Sequence, residues 1–302
     1  MSVPTARETS ARVYAEESQL KNSVARLSIM AAAFLILIKT GTGWLTGSIA
    51  VWASLLDSAM DIFASSINYY AVRAAARPPD ADHAYGHGKA ESLAGLFQAA
   101  VISLSGLFLI YEAISRIIYP QPTREEAVGI ATMIIAMLVS LALVARLRRV
   151  AKLTDSPALG ADAVHFASDV WTNGGVLFAL ALIYFTGWTI ADPIISIAIS
   201  IYILASALSV GRESVDVLMD RRLPADVDEQ IAEIVSRFRE EGVLGFHDLR
   251  TRRSGSQKFI DLHLEVERDK TLEEAHATSV RVLRTIEAEI PRAKVQIHTD
   301  PA

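Results

Sequence analysis

About half of this 302-residue chain is apolar (51%), with a mean hydropathy of +0.31, high for a water-soluble protein of this length. The charge is uneven: the stretch up to Arg212 is balanced, and the whole net charge of −5 falls after it. This pattern separates an apolar membrane part from a charged, acidic soluble part, and nucleic acid is not expected as a partner. There is no cysteine; disulfides and thiolate metal sites are excluded, leaving His, Asp, Glu and backbone oxygen as metal donors.

Residues 1–22 read as a polar cytoplasmic arm without the apolar core of a signal peptide. A bilayer crossing needs about 20 mostly apolar residues. Six stretches provide them: 23–46, 49–72, 91–118, 125–146, 158–186 and 190–211. The first two are joined by the short turn at 45–48 and form a helical hairpin, and Thr186-Gly187-Trp188 joins the last two. Arg73, Arg77 and Lys89 lie between the second and third helices, and Arg146, Arg148, Arg149 and Lys152 between the fourth and fifth. The opposite side carries only Arg116 and Arg124. The positive-inside rule then puts both termini in the cytoplasm. Trp44, Tyr119 and Trp188 stand at outer helix ends, where interface aromatics belong.

The membrane domain is thus expected over 23–212 and a soluble domain over 213–302. Residues 228–241 and 271–289 have helical apolar spacing, whereas 247–253, 258–267 and 294–298 read as strands. Residues 261–267 alternate polar and apolar, and Ser254-Gly255 supplies a turn ahead of them. The order α-β-β-α-β predicts a small α+β domain.

The chemistry is concentrated in two helices. Asp57 and Asp61 are four residues apart in the second, and His165 and Asp169 are four apart in the fifth. Each pair therefore shares a helix face. An ionisable group at bilayer depth costs about 2.5–3.5 kcal/mol on insertion scales, so four of them require a compensating partner. A divalent cation between the helices supplies it. Three carboxylates and an imidazole suit tetrahedral zinc; the same donors accept iron(II), cobalt, cadmium and manganese. Metal binding needs neutral imidazole and ionised carboxylates, so protons leave as metal enters, which points to proton-coupled exchange.

The remaining histidines are placed as informatively. His83 and His87 follow Asp80 and Asp82 in the loop after the second helix, a small candidate site in which either aspartate could take part. His247, His263, His276 and His298 lie in the soluble part, with Asp300 just beyond; three are at or within predicted strands, which a sheet can bring together. A hydrolytic enzyme is disfavoured because no His-Glu-x-x-His pattern occurs. A channel, and a membrane metal sensor or scaffold that never releases its ion, remain as competing readings.

Three segments carry a resemblance: Gly47 to Ser58, Tyr85 to Ser92 and Ala161 to Asp169. They resemble the cation diffusion facilitator family, nearest its bacterial ferrous-iron and zinc efflux branch, from roughly Ser23 to Pro301. Asp rather than His at position 57 fits that branch better than the zinc-only one. The resemblance implies a homodimer of six-helix protomers in the bacterial inner membrane, each with a metallochaperone-like cytoplasmic domain, exchanging divalent metal for protons. It implies a transport site at Asp57, Asp61, His165 and Asp169, and a loop site at Asp80, His83 and His87. It further implies a binuclear cytoplasmic site at His247, His263, His276, His298 and Asp300, and a salt bridge between Lys89 and Asp220 that fixes dimer geometry. Zinc is the expected substrate and regulatory ligand, with Fe2+, Cd2+, Mn2+ and Co2+ as further candidates.

Overall fold

A computed structural model describes residues 6–46, 49–119 and 127–302, with side chains for 15–44, 58–119 and 129–302. The chain divides into two compact units, Met1–Val215 and Asp216–Ala302.

The first unit is all helix: α1 (Ala6–Thr46), α2 (Ile49–Ala75), α3 (Lys89–Ile118), α4 (Ala127–Thr154), α5 (Pro157–Thr186) and α6 (Ala191–Leu218). Helix α1 begins upstream of the expected span because residues 6–22 contain no Pro or Gly to stop it. Among the described residues, five helices are long and apolar enough to cross a membrane: all except α2. Nine residues of α2, 49–57, have side chains outside the described set, yet its 27 residues span about 40 Å at 1.5 Å each, enough for a sixth crossing. Of the predicted turn at 45–48, Leu45 and Thr46 belong to α1, and Gly47 and Ser48 lie outside the described residues, as does Arg124.

Helix α5 shows how local chemistry sets the boundaries. Ser156 caps its start by accepting from the Leu159 N–H, and Pro157 occupies the first turn, where a missing N–H costs nothing. Gly187 ends it in the left-handed region (φ +72°), where its N–H reaches the Ile183 carbonyl.

Helix α1 packs on α2 and α4, α4 on α5, and α2 on α3 and α5, so α2 and α5 face one another inside the bundle. One core joins Val24, Ala25 and Ala32 of α1 to Leu143 and Leu147 of α4 and Leu159 and Phe166 of α5. Small residues let α3 and α6 approach: Gly106 lies against Leu204 and Gly211 against Ala99. The outward surface is the reverse of a soluble protein's. Leu104, Phe108, Leu138, Phe178 and Ile201 are all more than half exposed, as are Trp44 and Tyr119 at helix ends. A continuous apolar surface of this kind is matched to lipid, where the helices satisfy their backbone groups internally.

The second unit contains α7 (Ala225–Ser236), a short 3-10 turn (Arg239–Glu241), β1 (Val243–Ser254), β2 (Gln257–Val266), α8 (Leu272–Glu289) and β3 (Ala293–Pro301). The sheet order is β1-β2-β3, with β1 and β2 antiparallel and β2 and β3 parallel. Helix α8 makes the crossover between the parallel strands. Its start is a capping box, Thr271 and Glu274 bonding each other's backbone. The alternation of β2 drives the layering: Ile260, Leu262, Leu264 and Val266 point into a core shared with Ile231, Val282 and Ile286, leaving Asp261, His263 and Glu265 for the open face.

Candidate metal centres

In the membrane unit, α2 and α5 bring Asp61, His165 and Asp169 together, with one ligand atom from each inside a common 4.8 Å radius of separation. His165 Nε2 donates to Asp61 Oδ1 at 3.1 Å. Ligand atoms of tetrahedral zinc, each about 2.0–2.1 Å from the ion, lie about 3.3 Å apart, so this spacing fits. His165 is 5% exposed, whereas Asp61 and Asp169 are half-buried. Asp57 belongs to α2 one turn before Asp61, but its side chain lies outside the described residues.

Further polar groups that the spacing argument missed lie within the helical bundle. Ser28 of α1 donates to Asp162 Oδ2 at 2.6 Å, and Asp162 is fully buried one turn before His165. Lys39 Nζ of α1 donates to Ser58 Oγ at 2.7 Å. Toward the other end, Lys21 of α1 pairs with Glu91 of α3 at 2.8 Å, and Ser156 donates to the second oxygen of Glu91 at 2.5 Å. Glu91 is 1% exposed. The signal for Lys21, Lys39, Glu91 and Asp162 was available: each is an ionisable residue inside or beside an apolar helix, which by default marks function.

The loop between α2 and α3 folds on Asp80. Its Oδ1 accepts from the backbone N–H of His83 at 2.7 Å and of Asp82 at 3.1 Å, an Asx turn. Gly86, in the left-handed region (φ +81°), returns its N–H to the His83 carbonyl at 2.9 Å and so turns His87 back. Asp80 Oδ1 and Oδ2 then lie 3.1 Å from His83 Nδ1 and 3.2 Å from His87 Nε2. Asp82 takes no part in the cluster. The His83 N–H, and then its imidazole, hold the Asp80 carboxyl below the usual carboxylate range.

The soluble unit sets three histidines abreast on the open face of its sheet. His247 is registered opposite His263, and His263 opposite His298, one from each strand. Their ring centroids are 5.1 Å and 4.7 Å apart. Asp300 joins them from the next row of the sheet: its Oδ2 lies 2.8 Å from His263 Nδ1 and 3.3 Å from His247 Nε2, and its Oδ1 3.3 Å from His298 Nε2. The His263 hydrogen bond, with the histidine charges behind it, holds the Asp300 carboxyl below its ordinary range.

Two neighbours escaped the sequence reading. Glu265 Oε1 accepts from His247 Nδ1 at 3.0 Å, and Asp248 forms a triplet with His247 and His263. Glu265 was legible two places after His263 in the alternating run. Asp248 was not: simple alternation turns it away from His247, but a register shift between His247 and Arg250 and a positive φ at Asp248 (+49°) bring it round. His276 is exposed on α8, which covers the opposite face of the sheet, so within one protomer it stands apart from the row. Lys89 opens α3; Asp220 accepts from Arg252 Nη1 at 3.3 Å within the soluble unit.

Comparison with known proteins bears on the whole chain. The family model for the cation efflux transmembrane domain matches residues 25–219, and that for the cytoplasmic domain of cation efflux proteins matches residues 223–302. The chain belongs to the cation efflux family, the cation diffusion facilitators. It is 44% identical over 281 residues to the cation-efflux pump FieF of Escherichia fergusonii, covering 92% of this chain and 93% of that one. The same pump from Yersinia pestis is 44% identical over 270 residues, 89% of each chain. A solved zinc form of CzrB matches 27% of this chain and 92% of its own at 35% identity, with a TM-score of 0.26, too low to carry a structural argument. This cation efflux protein is therefore a multi-pass transporter of a bacterial inner membrane rather than an enzyme, with metal ions as its substrate. Its soluble unit is the dimerisation domain, and its partner is a second copy of itself.

Proposed function

We propose that the chain exports a divalent metal ion, zinc foremost and iron(II), cadmium, manganese or cobalt by the same donors, in exchange for protons. The observation that supports this most is the grouping of Asp61, His165 and Asp169 between two membrane helices, one of them almost wholly buried. With Asp57 they form the transport site. Metal arriving from the cytoplasm displaces protons from the imidazole and carboxylates; the bundle then opens outward, and returning protons release the ion. Loading and unloading are thus one competition for the same lone pairs.

The loop residues Asp80, His83 and His87 hold a second ion. His247, His263, His298 and Asp300 hold the cytoplasmic ions, with Glu265 orienting His247. His276, remote from the row within one protomer, contributes from the second copy. Metal there draws the two soluble domains together and biases the transporter, because differential binding is what moves a conformational equilibrium. Lys89 and Asp220 lock the dimer near the membrane surface. Residues 1–22 form a cytoplasmic arm, 23–212 the membrane domain and 213–302 the soluble domain, with both termini inside.

The test is zinc flux in proteoliposomes with a pH-sensitive dye inside. Wild-type protein moves zinc and protons in opposite directions, and Asp61→Ala moves neither while remaining a folded dimer. Undiminished flux by Asp61→Ala would remove the site. Zinc binding with no flux of either ion, in the wild type, would favour the sensor or scaffold instead.

A further inference from the structure

Lys39 lies inside the α1 span, Ala15–Trp44, where an ammonium is costly. Its ordinary escape is to snorkel, carrying the charge along its four-carbon stem to the nearest interface. That interface is close: Trp44 is five residues on, or about 7.5 Å along the helix. The side chain goes elsewhere. Its Nζ donates to Ser58 Oγ of α2 at 2.7 Å, a residue only 1% exposed. Ser58 precedes Asp61 by three positions, so its hydroxyl shares a face with the Asp61 carboxylate on the helix that supplies half the transport site. A neutral hydroxyl alone does not offset the removal of an ammonium from water; neighbouring carboxylates do.

We propose that Lys39 is a tethered counter-ion of the transport site, held on Ser58 one helical turn from Asp61. This rests on reading Asp57, Asp61, His165 and Asp169 as the transport site. The site's own donors are three carboxylates against one imidazole, a set that grips a divalent cation tightly and is costly to leave bare, and the buried Asp162 lies one turn from His165. One fixed positive charge on α1 weakens the grip and stabilises the emptied site, so both binding and release stay within reach of a transport cycle. It acts at a distance, since a protonated amine has no lone pair with which to ligate metal.

Zinc transport by the full-length protein in proteoliposomes tests this through KM and kcat. Lys39→Met keeps the stem and deletes the charge; Lys39→Gln also keeps a donor for Ser58. In both, KM for zinc falls about tenfold, as expected when one unit charge is removed beside carboxylates in a low-dielectric site, and kcat falls because release slows. Lys39→Arg restores both values. A structural anchor behaves differently: KM is unchanged or higher in the Gln variant, and either result overturns the proposal. Asp61→Ala run alongside separates the two failures. Transport surviving in that variant would overturn the site itself, whereas an inert Asp61→Ala with unchanged KM in Lys39→Gln overturns only the counter-ion.

Discussion

The membrane site and the cytoplasmic histidine row use the same donors, imidazole and carboxylate, in opposite surroundings. In the membrane unit His165 is almost wholly buried, its partner Asp61 lies 104 positions earlier on another helix, and each four-residue pair is arranged by one turn of helix. In the soluble unit the His247 and His298 side chains are 45% and 68% exposed, and strand register aligns the row. Burial raises the stakes of every charge, so the membrane site is intolerant of a missing partner, metal or proton. Exposure on a sheet face lets water fill in for an absent ion, so an ion at the proposed soluble site would come and go without threatening the fold. The first environment suits obligatory exchange; the second suits sensing.

The sharpest way to break this contrast is to remove one donor from each side. Asp61→Ala should lower zinc flux by at least about a hundredfold, given how strongly buried charge networks depend on each member, while zinc binding to the soluble unit, followed by calorimetry, stays intact. His263→Ala should do the reverse. His263 belongs to both triplets of the row, so its loss should abolish zinc-dependent association of the soluble domains, measured by fluorescence transfer between labelled protomers. Flux should fall only several-fold, as expected of a ligand that biases a conformational equilibrium.

Acidification sharpens the comparison further. Asp80 and Asp300 are held below the usual carboxylate range. Their native partners therefore contribute stability that is present above the unfolded carboxylate pKa and lost only as pH falls through the lower folded value. Mild acidification should then weaken zinc binding at the loop and soluble sites through proton competition at the imidazoles, with both carboxylates still ionised. Calorimetric zinc titrations stepped from neutral toward acid pH check this: the affinity should drop before the fold does.

The smallest effect belongs to a residue that is in none of the candidate metal clusters. Thr271→Ala removes the capping box of α8 and should cost about 0.5–2 kcal/mol, read as a lower thermal midpoint of the soluble unit with transport unchanged. Glu274 is held below its ordinary range by the Thr271 hydroxyl and N–H, so its share of that stability is present above the unfolded carboxylate pKa and fades as pH falls through the folded one.

Much of this molecule was readable along the chain. The run of apolar segments marked a helical membrane domain, and the strict alternation of 261–267 marked β2 and put His263 and Glu265 on one face. Four-residue spacing alone aligned Asp61 with Asp57 and His165 with Asp169, because a helix repeats every 3.6 residues whatever surrounds it. These are local periodicities, and local geometry obeys them without help from the rest of the fold.

Contacts between elements were a different matter. Nothing along the chain says that strands β1, β2 and β3 register His247, His263 and His298 in one row, nor that Asp80 rather than Asp82 meets both loop histidines. A bulge reversed the direction of Asp248, and packing of α1 against α2 put Lys39 on Ser58 rather than at the interface. The physical reason is the same each time. Period determines which way a side chain faces on its own element, but which element it meets depends on register, bulges and packing between segments far apart in sequence, and only the tertiary structure decides those.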